Sequence, residues 1–116
     1  MKDRRKAREL ALQVLYQIDI RKTSAEEVLE TVFSRYRFKL GIKKFSERLI
    51  YGTTQFILPI DSSIEKYAKN WTLERMTIVD RNVLRLAIYE LLFLKDIPSA
   101  VSINEAIDIA KRYGIE

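Results

Sequence analysis

Five cations stand among the first eight residues, Lys2, Arg4, Arg5, Lys6 and Arg8, with Asp3 the one acid between them. Five positive charges against one negative give +4 of the chain's formal +5, which leaves +1 for the rest of the chain. The basic character is therefore a local patch, and the chemistry open to such a patch is neutralisation of an anionic polymer. Arg4 and Arg8 are one helical turn apart and Arg5 neighbours Arg8 at i, i+3, which makes a ridge able to touch successive phosphates; Lys6 points elsewhere. Each phosphate neutralised releases condensed counterions, so binding through these groups weakens as salt rises. The plain alternative is a solvated helix start. Cations at a helix N-terminus oppose the macrodipole, so helix stability alone explains them poorly.

Other chemistries are excluded by residue type. The chain has no Cys and no His, hence no disulfide, no thiolate nucleophile, no Cys/His zinc site and no imidazole base. No Gly-rich phosphate loop occurs, and the adjacent Glu26 and Glu27 fall on a predicted exposed face. These features point away from an enzyme and imply no cofactor and no metal.

A folded helical scaffold must position the cations. With 116 residues, 47% of them hydrophobic and 32% charged, the chain reads as a single globular domain over 1–116. No window is apolar enough to cross a bilayer and the start lacks a secretion signal, so a cytoplasmic protein is expected. Residues 9–20 continue the basic run as an amphipathic helix, with Ala7, Leu10, Ala11, Val14, Leu15 and Ile18 on one arc. Leu12 and Tyr16 stand four apart away from that arc, an exposed apolar pair suited to a protein contact or to a neighbouring helix of the same chain.

Ser24 and Glu27 have the form of a capping box before a second helix carrying Val28, Leu29, Val32, Phe33 and Tyr36. Gly41 is expected to interrupt; a third helix spans 43–58 and ends at Pro59, and Asp61 caps a short fourth. Residues 79–94 are apolar almost all round and belong in the middle of a bundle. Asp80 begins that helix where a carboxylate suits the dipole. Arg81, Arg85 and Glu90 among apolar neighbours suggest partly buried ion pairs. Pro98 ends the helix, Ser102 and Glu105 repeat the capping-box spacing, and Gly114 suits a C-terminal cap. Period-two alternation is nowhere sustained, so the fold class is all-α.

Two blocks carry a family resemblance. Residues 5–16, Arg-Lys-Ala-Arg-Glu-Leu-Ala-Leu-Gln-Val-Leu-Tyr, resemble the arginine-rich first helix of the NusB antitermination factors. Residues 79–91, Val-Asp-Arg-Asn-Val-Leu-Arg-Leu-Ala-Ile-Tyr-Glu-Leu, with Ile97-Pro98 and 101–114, resemble that family's central helix and its successor. The resemblance implies a compact helical bundle made of two packed three-helix bundles. It also implies binding of the single-stranded boxA element of nascent ribosomal RNA transcripts, jointly with the ribosomal protein NusE, in a transcription elongation complex. Carried over, Arg4, Arg5, Lys6 and Arg8 take RNA-binding positions, while Leu12, Tyr16 and Asp80 take partner-binding ones. Family chains continue past the Tyr-Gly at 113 and 114 through a further helix with a Lys-Phe-x-Asn-Gly motif. Without it, reduced RNA affinity is expected, and a homodimer in which a second copy covers apolar surface of the 79–94 helix. The competing functions are a detached NusB-like module of a ribosomal RNA methyltransferase and a self-associating structural remnant.

Overall fold

In the computed structural model, which describes residues 2–68, 70 and 72–114, the chain is a bundle of six α-helices, with no strand among the described residues. The helices are α1 (Lys2–Arg21), α2 (Ala25–Arg35), α3 (Leu40–Gln55), α4 (Ile57–Tyr67), α5 (Ile78–Phe93) and α6 (Ser99–Tyr113). The first three form one group and the last three another. They meet where α1 lies along α5 as well as α3.

The apolar arc of α1 fills the seam between the groups: Ala7, Ala11 and Val14 are wholly inaccessible and Leu10 and Leu15 nearly so. They pack with Val28 and Leu29 of α2, Leu49 and Ile50 of α3, and Val83 and Leu86 of α5 in one continuous core. Burying each of these larger side chains contributes about 1.5–3 kcal/mol before entropy is counted. Helix α5 touches α1, α3, α4 and α6, as its apolar sequence demands, yet Leu84, Leu92 and Phe93 remain partly exposed. Ile103 and Ile107 of α6 are also exposed.

Several helix boundaries differ from the sequence expectation: α5 ends at Phe93, before Pro98, which instead precedes α6 as its N-cap. Gly41 does not interrupt a helix but is the second residue of α3, and a Cβ there would meet nothing within 4 Å. Pro59 does not terminate α3, which has already ended at Gln55; it occupies the first turn of α4, where its missing N–H would have had no helical partner. Asp61 consequently lies inside α4 and accepts two hydrogen bonds from Arg85, at 2.8 and 3.0 Å, instead of capping.

The two capping-box spacings part company. Ser24 does cap α2, accepting from the Glu27 backbone N–H at 3.2 Å. Ser102 does not cap α6, whose N-cap is Pro98; it lies one turn inside, buried, and its hydroxyl donates to Glu90 Oε1 at 2.8 Å. At the start of α5 the Thr77 hydroxyl accepts from the Asp80 N–H at 3.1 Å, which places Asp80 in the first turn as expected. Gly114 follows α6 with extended backbone rather than a left-handed turn, its N–H bonding to Ala110 O at 2.7 Å. A side chain there would strike Ala110 O and the Asp80 carboxylate, at 2.5 and 2.9 Å.

Candidate nucleic-acid interface

The basic end of α1 lies across the junction of α3, α5 and α6, and its cations meet different fates. Arg8, expected on the outward ridge, is turned inward and is 3% exposed. Its Nε and Nη2 both reach the buried Glu90 carboxylate at 2.8 Å, and Ser102 completes that carboxylate's shell. Glu105 of α6 adds a longer contact to Arg8 at 3.7 Å. The expected phosphate-contacting ridge position is thus corrected to a structural ion pair that joins α1, α5 and α6. Arg8 lies on the flank of the apolar arc, close enough to the core for an acid on α5 to capture it, and desolvated fork-to-fork pairing of this kind is strong once formed.

Arg5 is half-exposed and tied to α6, donating to Glu105 at 3.0 and 2.6 Å and to Asp108 at 2.8 Å. The Glu105 carboxyl is held below its usual range, first by the Arg5 hydrogen bond and then by the charges of Arg5 and Arg8, against the opposing effect of burial. Two acids on one guanidinium leave Arg5 little net charge to offer a phosphate. Arg4 and Lys6 are exposed, and among the described residues no carboxylate lies within ion-pair distance of either. Lys2 is exposed in the same way.

Arg4 has a different anchor: its guanidinium lies over the Phe45 ring, 4.4 Å from the centroid, while Arg8 approaches the same ring at 5.4 Å. Cation–π contact holds an arginine plane in place without cancelling its charge. Around it opens a groove of about 380 Å³ between α1 and α3, lined by Asp3, Arg4, Gly41, Lys44, Phe45 and Arg48. Lys44 is free of acids within ion-pair distance among the described residues. Arg48 donates to Asp96 at 3.2 Å in a solvent-exposed pair. Sequence reasoning missed these α3 cations, although Lys44 and Arg48 stand at i, i+4, the same spacing that marked Arg4 and Arg8.

The residues expected to face a partner also divide. Leu12 is corrected from exposed to core: it is 4% accessible and packed within the bundle, so the neighbouring-helix reading holds for it. Tyr16, one turn on, is 38% exposed. It shares a strip of α1 with Glu9, which accepts from Arg112 and from the Tyr113 hydroxyl at 3.1 and 3.2 Å. Asp80 lies near the end of α6 with its carboxylate beside Gly114.

The acid and base pairs suspected in the central helix are present. Asp19 of α1 receives both Arg81, at 2.7 and 2.8 Å, and Arg85, at 3.0 Å, with Asn82 donating at 3.0 Å. The Arg81 hydrogen bond is the main reason its carboxyl lies well below the usual range. Each strongly perturbed carboxyl thus has an ion-pair partner that accounts for it.

The NusB family model matches residues 5–116. The transcription antitermination protein NusB of Desulforapulum autotrophicum is 46% identical over 116 residues, covering 98% of this chain and 81% of the relative. The solved structure of T. maritima NusB superposes with a TM-score of 0.86 at 44% identity, over 97% of this chain and 80% of that one. A structure of antitermination factors NusB and NusE in complex with dsRNA superposes at 0.83 with 31% identity, over 97% and 84%.

Proposed function

The chain belongs to the NusB family, and from that premise we propose that it acts in transcription antitermination by holding RNA and a protein partner rather than by catalysis. The RNA is a boxA-like single strand of nascent ribosomal RNA transcripts, and the partner is NusE within the elongation complex. The observation that carries this reading is the outward basic end of α1, where Arg4 and Lys6 project without acidic partners among the described residues. It is supported by the relative whose structure contains NusE and dsRNA, which ties this fold to RNA and to that partner.

Within this reading Arg4 and Lys6 make the primary phosphate contacts on two different sides of α1, since residues two apart do not share a helix face, and Arg5 between them joins by exchanging an acid of α6 for a phosphate. Arg8 acts indirectly, by fixing α1 against α5 and α6. Arginine serves single-stranded RNA twice over, since a guanidinium both neutralises a phosphate and stacks on an unpaired base. Tyr16 and Asp80 face NusE on the side away from the basic end.

The test is a titration of fluorescently labelled boxA-like RNA, with and without NusE. Arg4→Glu and Lys6→Glu weaken binding about ten-fold or more each, and NusE tightens it. Tyr16→Ala leaves binding of RNA alone unchanged and removes the enhancement by NusE. Binding that ignores both charge reversals refutes the assigned surface.

A further inference from the structure

We propose that the groove between α1 and α3, floored by Phe45 and edged by Arg4, Lys44 and Arg48, is a second RNA subsite that carries the strand off the end of α1 and along α3. The proposal rests on the RNA-binding reading above and extends it to residues of α3.

Three features support it. The first is charge supply. With Arg8 buried and Arg5 engaged by two acids, the basic end of α1 retains fewer free cations than its sequence promises. Lys44 restores one free cation, and Arg48, one turn on along the side of α3 that faces Arg4, adds a second whose exposed pairing with Asp96 a phosphate can replace. Three cations line the groove against Asp3, which already leans on Lys39 at 3.9 Å, and Asp96 at its edge, which accepts from Arg48 at 3.2 Å in a solvent-exposed pair.

The second is a prepared stacking plane. Arg4 lies on Phe45, so its inner face is covered and its orientation set, while the residue as a whole stays exposed. A base laid on the outer face would extend the Phe45–Arg4 stack, with phosphates in reach of Lys44 and Arg48. Stacking on such platforms is worth about 1–3 kcal/mol per base and tolerates any sequence.

The third is room. Gly41 occupies the first turn of α3 and opens directly to the groove, with nothing within 4 Å of where its Cβ would be. Glycine in a helix costs up to about 1 kcal/mol relative to alanine, and neither packing nor a positive φ requires one here. Its absence of a side chain leaves the backbone bare beside the cations, as close approach of a bulky anion would require.

The same position supplies a clean test. Gly41→Glu adds a carboxylate to the groove without a clash, at a helix start where negative charge is tolerated, so its melting temperature should equal or exceed that of the unaltered chain. In a titration with a boxA-like single-stranded RNA of about twelve nucleotides, Gly41→Glu weakens binding about ten-fold and Gly41→Ala, which adds bulk without charge, weakens it by a smaller factor. Asp3→Asn tightens binding, a gain that damaged folding cannot imitate. Lys44→Ala with Arg48→Ala flattens the slope of log K against log salt by about 1.4, the share of two phosphates on a single strand. If Gly41→Glu and the double variant bind like the unaltered chain while Lys6→Glu weakens binding, the groove is idle and only the primary surface stands. If the unaltered chain binds no RNA, both readings fall together.

Discussion

At the level of single residues, neighbouring arginines behave very differently. Arg4, Arg5 and Arg8 are chemically identical and lie within one and a half turns; helical spacing sets Arg4 and Arg8 on the flanks of the apolar arc and Arg5 opposite it, but not which of the flanking two is buried. Their fates were decided by acids a hundred or so positions away, Glu105 and Asp108 for Arg5, and by Glu90 for Arg8. Such distant pairings leave no local trace, although Glu90 among apolar neighbours did signal that some cation had to come to it. Arg8→Ala strands a buried carboxylate and should cost about 3–5 kcal/mol in urea unfolding. Lys6→Glu, on an exposed face, should change stability by less than about 0.5 kcal/mol. RNA binding lost in an Arg8 variant therefore reports folding, and the two measurements together separate a structural arginine from a contacting lysine. An Arg8→Ala chain as stable as the unaltered one would remove the structural assignment.

Among the elements, periodicity gave the number and order of helices, because an apolar stripe at helical spacing has few other uses. Helix ends were harder. Ser24-Glu27 and Ser102-Glu105 are the same pattern, yet only the first caps, since α6 begins at Ser99 and turns Ser102 toward Glu90. The packing of α3 on α5 rests on Gly52, where an added Cβ would fall on the Tyr89 ring. That ring is buried, and Phe93, stacked on it at 5.4 Å, is itself stacked on Phe56 at 4.4 Å. Gly52→Ala should destabilise by about 1–3 kcal/mol despite alanine's better helix propensity. Tyr89→Ala should cost less in that background than alone, a coupling readable in a double-mutant cycle. The joint of α1, α4 and α5 makes a separate prediction. Asp19 is held well below its ordinary carboxyl range by Arg81, with Asn82 and Arg85 assisting. Its contribution is thus complete above the unfolded value of about 3.9 and disappears as pH falls through the lower folded value. Asp19→Asn should lower stability at neutral pH by roughly 2 kcal/mol and shallow the acid limb below pH 4; an unchanged acid limb would place the pH dependence elsewhere.

Across the whole molecule, the charge distribution sets how binding responds to its surroundings. The chain lacks histidine altogether, and the shifted carboxyls Asp19, Asp96 and Glu105 all move downward, away from neutrality. Between about pH 5.5 and 7 no side chain at the basic end should change its charge, so RNA affinity should be flat over that interval while remaining steep in salt. The salt slope also counts contacts. Arg4 and Lys6 with Lys2 would give a slope near −2, and Lys44 and Arg48 in addition would bring it near −3.5, at about 0.7 per phosphate on a single strand. A strongly pH-dependent affinity in this interval would mean that a titrating group on the RNA or at the chain's amino terminus governs binding. A slope near zero would mean that phosphate neutralisation does not drive association, and with it would go the functional meaning of the basic end that distinguishes this bundle from a merely well-packed one.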